Sequence, residues 1–176
     1  MSHILVKSMT IGIKSNNFMQ NPKPKKGVDY TGVCVVYFCH DGKGNVLMGK
    51  RSQKTRDEQG KWDIGGGSLE FGERVEEALK REVNEEYSTD VLKHEFLGFR
   101  DVHRTHLDTD QKISVIPLKK THWIALDFKV LVDPSKVKNG EPESIDEIGW
   151  FTINRLPENL HSQLPLFFEK YKEQLK

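Results

Sequence analysis

Apolar residues follow two different periods along this chain, and the change from one to the other outlines its elements. Thr31 to Cys39, rich in β-branched and aromatic residues, predicts a strand, and Val46 to Arg51 predicts a second. The turn between them is His40-Asp41-Gly42-Lys43-Gly44-Asn45, and the polar stretch Ser52 to Lys61 reads as a loop leading to Trp62. From about Glu73 to Tyr87 the period lengthens. Val75, Leu79, Val83 and Tyr87 recur every four residues, which predicts an amphipathic helix. Leu92 to Arg100 and His122 to Val132 then read as strands separated by a long polar loop. Gly149 to Ile153 reads as another strand and His161 to Leu175 as a closing helix. The first 28 residues read apart from the rest, with a short strand at Thr10 to Ile13 and a linker at Asn21-Pro22-Lys23-Pro24-Lys25-Lys26-Gly27. Its lysines read as a solvated tether. The expected organisation is an N-terminal extension, 1–28, and a single domain, 29–176, without internal repeats.

Composition narrows the class. A chain of 176 residues can bury roughly two-thirds of its unfolded surface, enough for one core. Its 27 basic and 26 acidic residues give a formal net charge of +1, which argues against dedicated nucleic-acid binding. No apolar run is long enough to span a bilayer and no secretory pattern is evident, so no membrane partner and a cytoplasmic location are expected. Cys34 and Cys39 are five residues apart on one strand, hence on opposite faces, and a disulfide between them is not expected.

The chemistry concentrates on the predicted helix. Glu82, Glu85 and Glu86 share one face, and Arg81 stands i,i+4 from both Glu77 and Glu85, placed to orient carboxylates. On a strict wheel Glu73, in the first turn, points away, so its role depends on how the preceding loop bends. Crowded carboxylates repel unless something neutralises them, and a hard divalent cation with oxygen ligands suits them. A solvated acidic face is the plain alternative, and the Glu76–Lys80 pair fits it. What favours a site is the segment upstream. Gly65-Gly66-Gly67 stands just before the helix, and a glycine turn lets backbone approach phosphate or metal closely.

Gly67, Glu73, Arg81, Glu82, Val83, Glu85 and Glu86 together resemble the Nudix box, G-x5-E-x7-R-E-U-x-E-E-x-G-U, where U is a bulky aliphatic. Ser88 and Thr89 depart from its last two positions, and Gly65 replaces a proline often found there. Ser88 falls where glycine usually takes a left-handed conformation after the helix, and the departure removes no ligand. The resemblance implies an α/β/α sandwich with a mixed sheet and a Mg²⁺ or Mn²⁺ cofactor. It implies hydrolysis of nucleoside diphosphate derivatives by water attack on phosphorus. It further implies Glu82, Glu85, Glu86 and the carbonyl of Gly66 as metal ligands, Arg81 as the orienting partner, and Glu73 with Gly67 in supporting positions. A carboxylate outside the box often completes such sites as ligand or base, and in Glu141-Pro142-Glu143-Ser144-Ile145-Asp146-Glu147 the first choice is Glu143 and the second Glu147. Homodimerisation, with the N-terminal strand as a contributing edge, is a further expectation of the resemblance.

Substrate-binding candidates are Arg51 at the end of its strand, Arg100 and Arg104, and Lys120 or its neighbour Lys119, which suit phosphate pairing. Asp101, His103, Arg104, His106, Asp108 and Asp110 crowd the long loop, yet lack any recognised zinc spacing, and phosphate pairing is preferred there. Trp62, Trp123 and Phe71 are base-stacking candidates that equally suit a core. A (deoxy)nucleoside triphosphate is the expected substrate. The alternative is a nucleotide sugar or ADP-ribose: Thr121-His122-Trp123-Ile124-Ala125-Leu126-Asp127-Phe128 and Asn159-Leu160-His161-Ser162 resemble GDP-mannose glycosyl hydrolases. Two less favoured readings are a catalytically silent nucleotide sensor and an isoprenoid diphosphate isomerase, which needs Cys34 or Cys39 at the metal.

Overall fold

The computed structural model describes residues 23–107 and 118–175. Among the described residues, seven strands and two helices follow in the order β1 (Gly32–His40), β2 (Asn45–Arg51), β3 (Trp62–Asp63), β4 (Gly65–Ser68), α1 (Val75–Tyr87), β5 (Val91–Leu107), β6 (Leu118–Val132), β7 (Ile145–Thr152) and α2 (Leu164–Tyr171). All strands join one sheet with the order β3-β2-β1-β6-β5, while β4 pairs with β1 and β7 with β2. The β1–β6 pair is parallel and the others antiparallel, so the sheet is mixed, as expected.

Strand alternation sends β1 side chains to two separate cores. Val35, Tyr37 and Cys39 are fully buried on the face that meets Ala78, Leu79, Val83 and Tyr87 of α1. Phe38, with Val36 beside it, faces Leu164, Phe167 and Tyr171 of α2. This is the α/β/α sandwich, with the helical stripe predicted from the four-residue period facing the sheet. Truncating a fully buried member such as Leu79 to Ala costs about 2–5 kcal/mol.

The structure corrects several expectations. Much of the long polar loop is strand: β5 runs to Leu107 and β6 begins at Leu118. Polarity concealed it, because Asp101, His103 and Thr105 are exposed on one face while the inward face carries Arg100 and Arg104 beside Val102. The three glycines form β4 rather than a turn, and none of them has a positive φ. β7 starts at Ile145, so Asp146 and Glu147 belong to a strand, and α2 is shorter than the predicted closing helix. Within the supposed linker, Lys26 Nζ donates to the Leu69 carbonyl at 2.7 Å, and the Gly27 carbonyl accepts from the His122 N–H at 2.9 Å. Lys26 and Gly27 thus bond to the domain. The expected strand at Thr10 to Ile13, and Asp108 and Asp110, lie outside the described residues.

Candidate active site

Both ends of α1 are closed by specific contacts, and these fix the carboxylates it carries. At its start the Arg74 N–H donates to Glu77 at 3.0 Å, so Glu77 is used in capping instead of holding Arg81. At its end Ser88 is left-handed, φ 50°, and donates its N–H to the Asn84 carbonyl at 2.8 Å. That conformation costs a serine about 1–2 kcal/mol relative to glycine. The N–H groups of Lys138 and Gly140 donate to the carbonyls of Tyr87 and Glu86, which draws the segment before β7 against the helix end. A side chain at Gly140 has no room there, since its Cβ would lie 2.0 Å from the Glu85 carbonyl oxygen.

Arg81 organises the acidic face. Its Nε and Nη2 donate to the two oxygens of Glu73 at 2.8 and 3.0 Å. Its Nη1 donates to Glu82 at 2.8 Å and to Glu85 at 2.9 Å, and Nη2 also reaches the Ser68 carbonyl. The turn before α1 therefore brings Glu73 back to the guanidinium, which a helical wheel could not show. Arg81 bonding holds the Glu73 carboxyl down at about 2. Glu82 is raised from its ordinary value by burial, against the opposing pull of Arg81. Glu86 is pushed up to about 8 by burial, although the Tyr37 hydroxyl donates to it at 2.6 Å and the Gly66 N–H also bonds to it; Glu141 and Glu82 add like-charge repulsion.

Gly65 and Gly67 of β4 leave room for side chains that press against the strand. A Cβ on Gly67 would lie 1.9 Å from Glu82 Cδ. One on Gly65 would lie 1.9 Å from the Tyr37 ring and 2.5 Å from Glu86 Oε2. The glycines thus serve close approach, as expected, but of side chains to a strand. An all-oxygen donor set of Glu82, Glu85, Glu86 and the Gly66 carbonyl, with one arginine to balance it, fits Mg²⁺ or Mn²⁺.

Glu86 and residues Gly65–Ser68 form one wall of a pocket of about 320 Å³, and Arg51, Arg100 and Arg104 line another. Arg100 is held by a bidentate pair to fully buried Asp127, at 2.8 and 2.9 Å, while Tyr171 donates to the same carboxylate. Its Nη1 is buried with no hydrogen-bond partner among the described residues. Asp57 is clamped between Arg51, at 2.9 Å, and Arg104, at 3.1 Å. Lys120, the fourth substrate candidate, is exposed and does not line the pocket, because alternation on β6 turns Thr121 and Trp123 to it instead. Side chains at 119 and 106 lie outside the described residues.

Glu143 is exposed and paired with Lys54, and Glu147 pairs loosely with Lys50. The carboxylate felt at both Glu82 and Glu86 is Glu141 instead. Sequence reasoning also missed Asp63 and His161, which line the pocket 3.8 Å apart. Burial raises Asp63 to about 7, against the pull of Arg51, and lowers His161 to about 4. The segment before Trp150 was a signal for Glu141; nothing local marked the other two. Trp62 packs on Phe151 in the core, and Phe71 is fully exposed. Trp123 lines the pocket and covers Gly27 and Gly32.

A family model described as the NUDIX domain matches residues 30–171. The chain belongs to the Nudix family. The nucleoside triphosphatase NudI of Escherichia coli K12 is 53% identical over 49 residues, 28% of this chain and 35% of the relative. The match thus spans about a third of that relative's length. The MutT protein of Methanosarcina mazei superposes with a TM-score of 0.63 at 24% identity, covering 83% of this chain and 96% of that one. The Nudix domain of Shewanella oneidensis NrtR, in complex with ADP ribose, does so at 0.60 and 17%, covering 89% and 94%. At these identities the two structures are alike in fold. No helix among the described residues is long and apolar enough to cross a membrane.

Proposed function

We propose that this Nudix protein is a divalent-metal-dependent pyrophosphohydrolase of nucleoside triphosphates, releasing a nucleoside monophosphate and pyrophosphate. The observation that carries the reading is a pocket lined by Glu86 and Gly65–Ser68 together with Arg51, Arg100 and Arg104, with Glu82 packed against Gly67 behind it. Glu82, Glu85, Glu86 and the Gly66 carbonyl would hold Mg²⁺ or Mn²⁺, which would supply activation of water and neutralisation of phosphate charge. Arg81 positions two of these carboxylates, Glu82 and Glu85, through charge-assisted bonds, with Glu73 fixed against it. Glu141 takes the place expected for Glu143 and accepts the proton of the attacking water. Arg100, immobilised by Asp127, presents Nη1 to a phosphate oxygen, and Arg51 and Arg104 add positive charge beside it.

A triphosphate substrate is supported by the matched segment of NudI, a nucleoside triphosphatase. The ADP ribose bound by the NrtR domain supports the second reading, a nucleotide-sugar or ADP-ribose diphosphatase. Phosphate release with Mg²⁺, with and without a coupling pyrophosphatase, separates the two across triphosphates, nucleotide sugars and ADP-ribose. Pyrophosphate from triphosphates supports the first reading; turnover of the sugar nucleotides alone moves the assignment to the second. An isomerase is disfavoured, because burial raises the thiol of Cys34 to about 11 and that of Cys39 well above its ordinary value. Cytoplasmic residence, supported by both cysteines being free, and homodimerisation complete the reading; sedimentation equilibrium checks the latter.

A further inference from the structure

Sequence spacing gave no metal signature to the histidines after Arg100, yet strand pairing creates one. His103 and His122 are direct cross-strand partners on β5 and β6, and Asp101, two residues before His103, lies on the same face. Asp101 Oδ1 is 3.0 Å from His103 Nε2 and 2.9 Å from His122 Nε2. The two rings stack with centroids 4.1 Å apart and planes inclined by 18°. One ligand atom from each of the three residues falls within 4.8 Å of the others. On the far side of His122, Nδ1 is 3.0 Å from the Thr31 hydroxyl, which fixes the ring's orientation. This face is opposite the pocket, which takes Arg100, Val102, Arg104, Thr121 and Trp123 from the alternate positions.

We propose that Asp101, His103 and His122 form a second metal site, selective for a borderline divalent ion such as Zn²⁺ and separate from the carboxylate site on α1. Tetrahedral coordination with bonds of about 2.0–2.1 Å places neighbouring ligand atoms roughly 3.3 Å apart, close to the two nitrogen–oxygen separations here. Two imidazole nitrogens and one carboxylate oxygen suit Zn²⁺, Co²⁺ or Ni²⁺, whereas Mg²⁺ and Ca²⁺ take oxygen ligands. The ligands are 56%, 68% and 39% exposed, so the ion keeps at least one water and exchanges with solvent. Thr31 is the outer partner that metal-bound histidines commonly have. The ion ties β5 to β6, and through Thr31 it reaches the segment leading into β1. The site thus acts as a clip across three parts of the sheet, independent of turnover.

The test is calorimetric titration of chelator-treated full-length protein with ZnCl₂ under saturating Mg²⁺, together with visible absorption on adding Co²⁺. One Zn²⁺ per chain is expected in wild type and equally in Glu86→Gln, with a Co²⁺ band in the visible and a higher Tm with metal. His103→Ala and His122→Ala weaken binding by about 100-fold and abolish the band, and Thr31→Val weakens it about tenfold. The ligands are exposed, so the metal-free Tm of each variant matches wild type. Absence of saturable binding in wild type overturns the site. So does unchanged binding in a His103→Ala/His122→Ala double variant, or loss of binding in Glu86→Gln.

Discussion

The two walls of the pocket handle charge in opposite ways. The helical wall presents Glu86 to the pocket, and behind it Glu73, Glu82 and Glu85 share one arginine, Arg81, while burial pushes Glu82 and Glu86 up. On the strand wall Arg51, Arg100 and Arg104 face Asp57, Glu58, Asp63 and Asp127, nearly matched one for one. The first wall carries more negative charge than Arg81 balances. The second is self-contained, with one guanidinium nitrogen of Arg100 left over. Excess charge marks where a ligand enters, and matched charge marks a scaffold that holds its shape before the ligand arrives.

Removing one partner of a matched pair should therefore damage the fold, and removing an excess charge should damage only activity. Arg100→Ala leaves the buried Asp127 charge with only the Tyr171 hydroxyl, and urea unfolding should show a loss of about 3–5 kcal/mol. Arg100→Met with Asp127→Leu should restore most of it. Stability unchanged in Arg100→Ala would erase the contrast between the walls. Glu82→Gln and Glu86→Gln should each lower kcat at least about 100-fold while their metal-free Tm stays at or above wild type. Near-native turnover in both defeats the metal mechanism.

A smaller effect tests the carboxylate outside the helix. Glu141→Gln should lower kcat about tenfold to 100-fold with KM little changed, and Glu143→Gln should match wild type. The reverse ranking restores Glu143 as the base.

The smallest effect is a pH slope in the strand wall. Asp63 faces Arg51, Glu58, Arg104 and His161; His161 faces Glu58, Arg104, Arg51 and Asp57. Asp63, raised from 3.8 to about 7, retains a proton when folded that the unfolded chain releases, so its contribution is lost as pH rises from about 4 to 7. His161, lowered from 6.5 to about 4, stays neutral when folded, so its contribution is lost as pH falls from 6.5 to 4. The two slopes oppose and nearly cancel in wild type. Asp63→Asn should make Tm fall on acidification through that window, and His161→Gln should make it fall on alkalinisation. Parallel slopes in the two variants would show that the pair does not compensate.

The box on α1 was legible because its determinants are local: helical spacing alone puts Glu82, Glu85 and Glu86 on one face, and the strand pattern alone gave β1 and β2. Even there the wheel misplaced Glu73 and Glu77, since a turn outside the helix decides which of them meets Arg81. Arg51, Arg100 and Arg104 were legible as charges, but only pairing revealed that carboxylates already hold them. The stretch after Arg100 read as loop because an inward face of arginines breaks the apolar alternation that marks a strand. Asp63 and His161 left no local trace of a role, Glu141 was marked only as part of the acidic segment before Trp150, and His103 meets His122 through cross-strand register alone. Spacing within one helix is set by its backbone geometry, and the sequence by itself determined that much. Which strand lies beside which is set by burial of the whole sheet between two helices, and only the tertiary structure decided it.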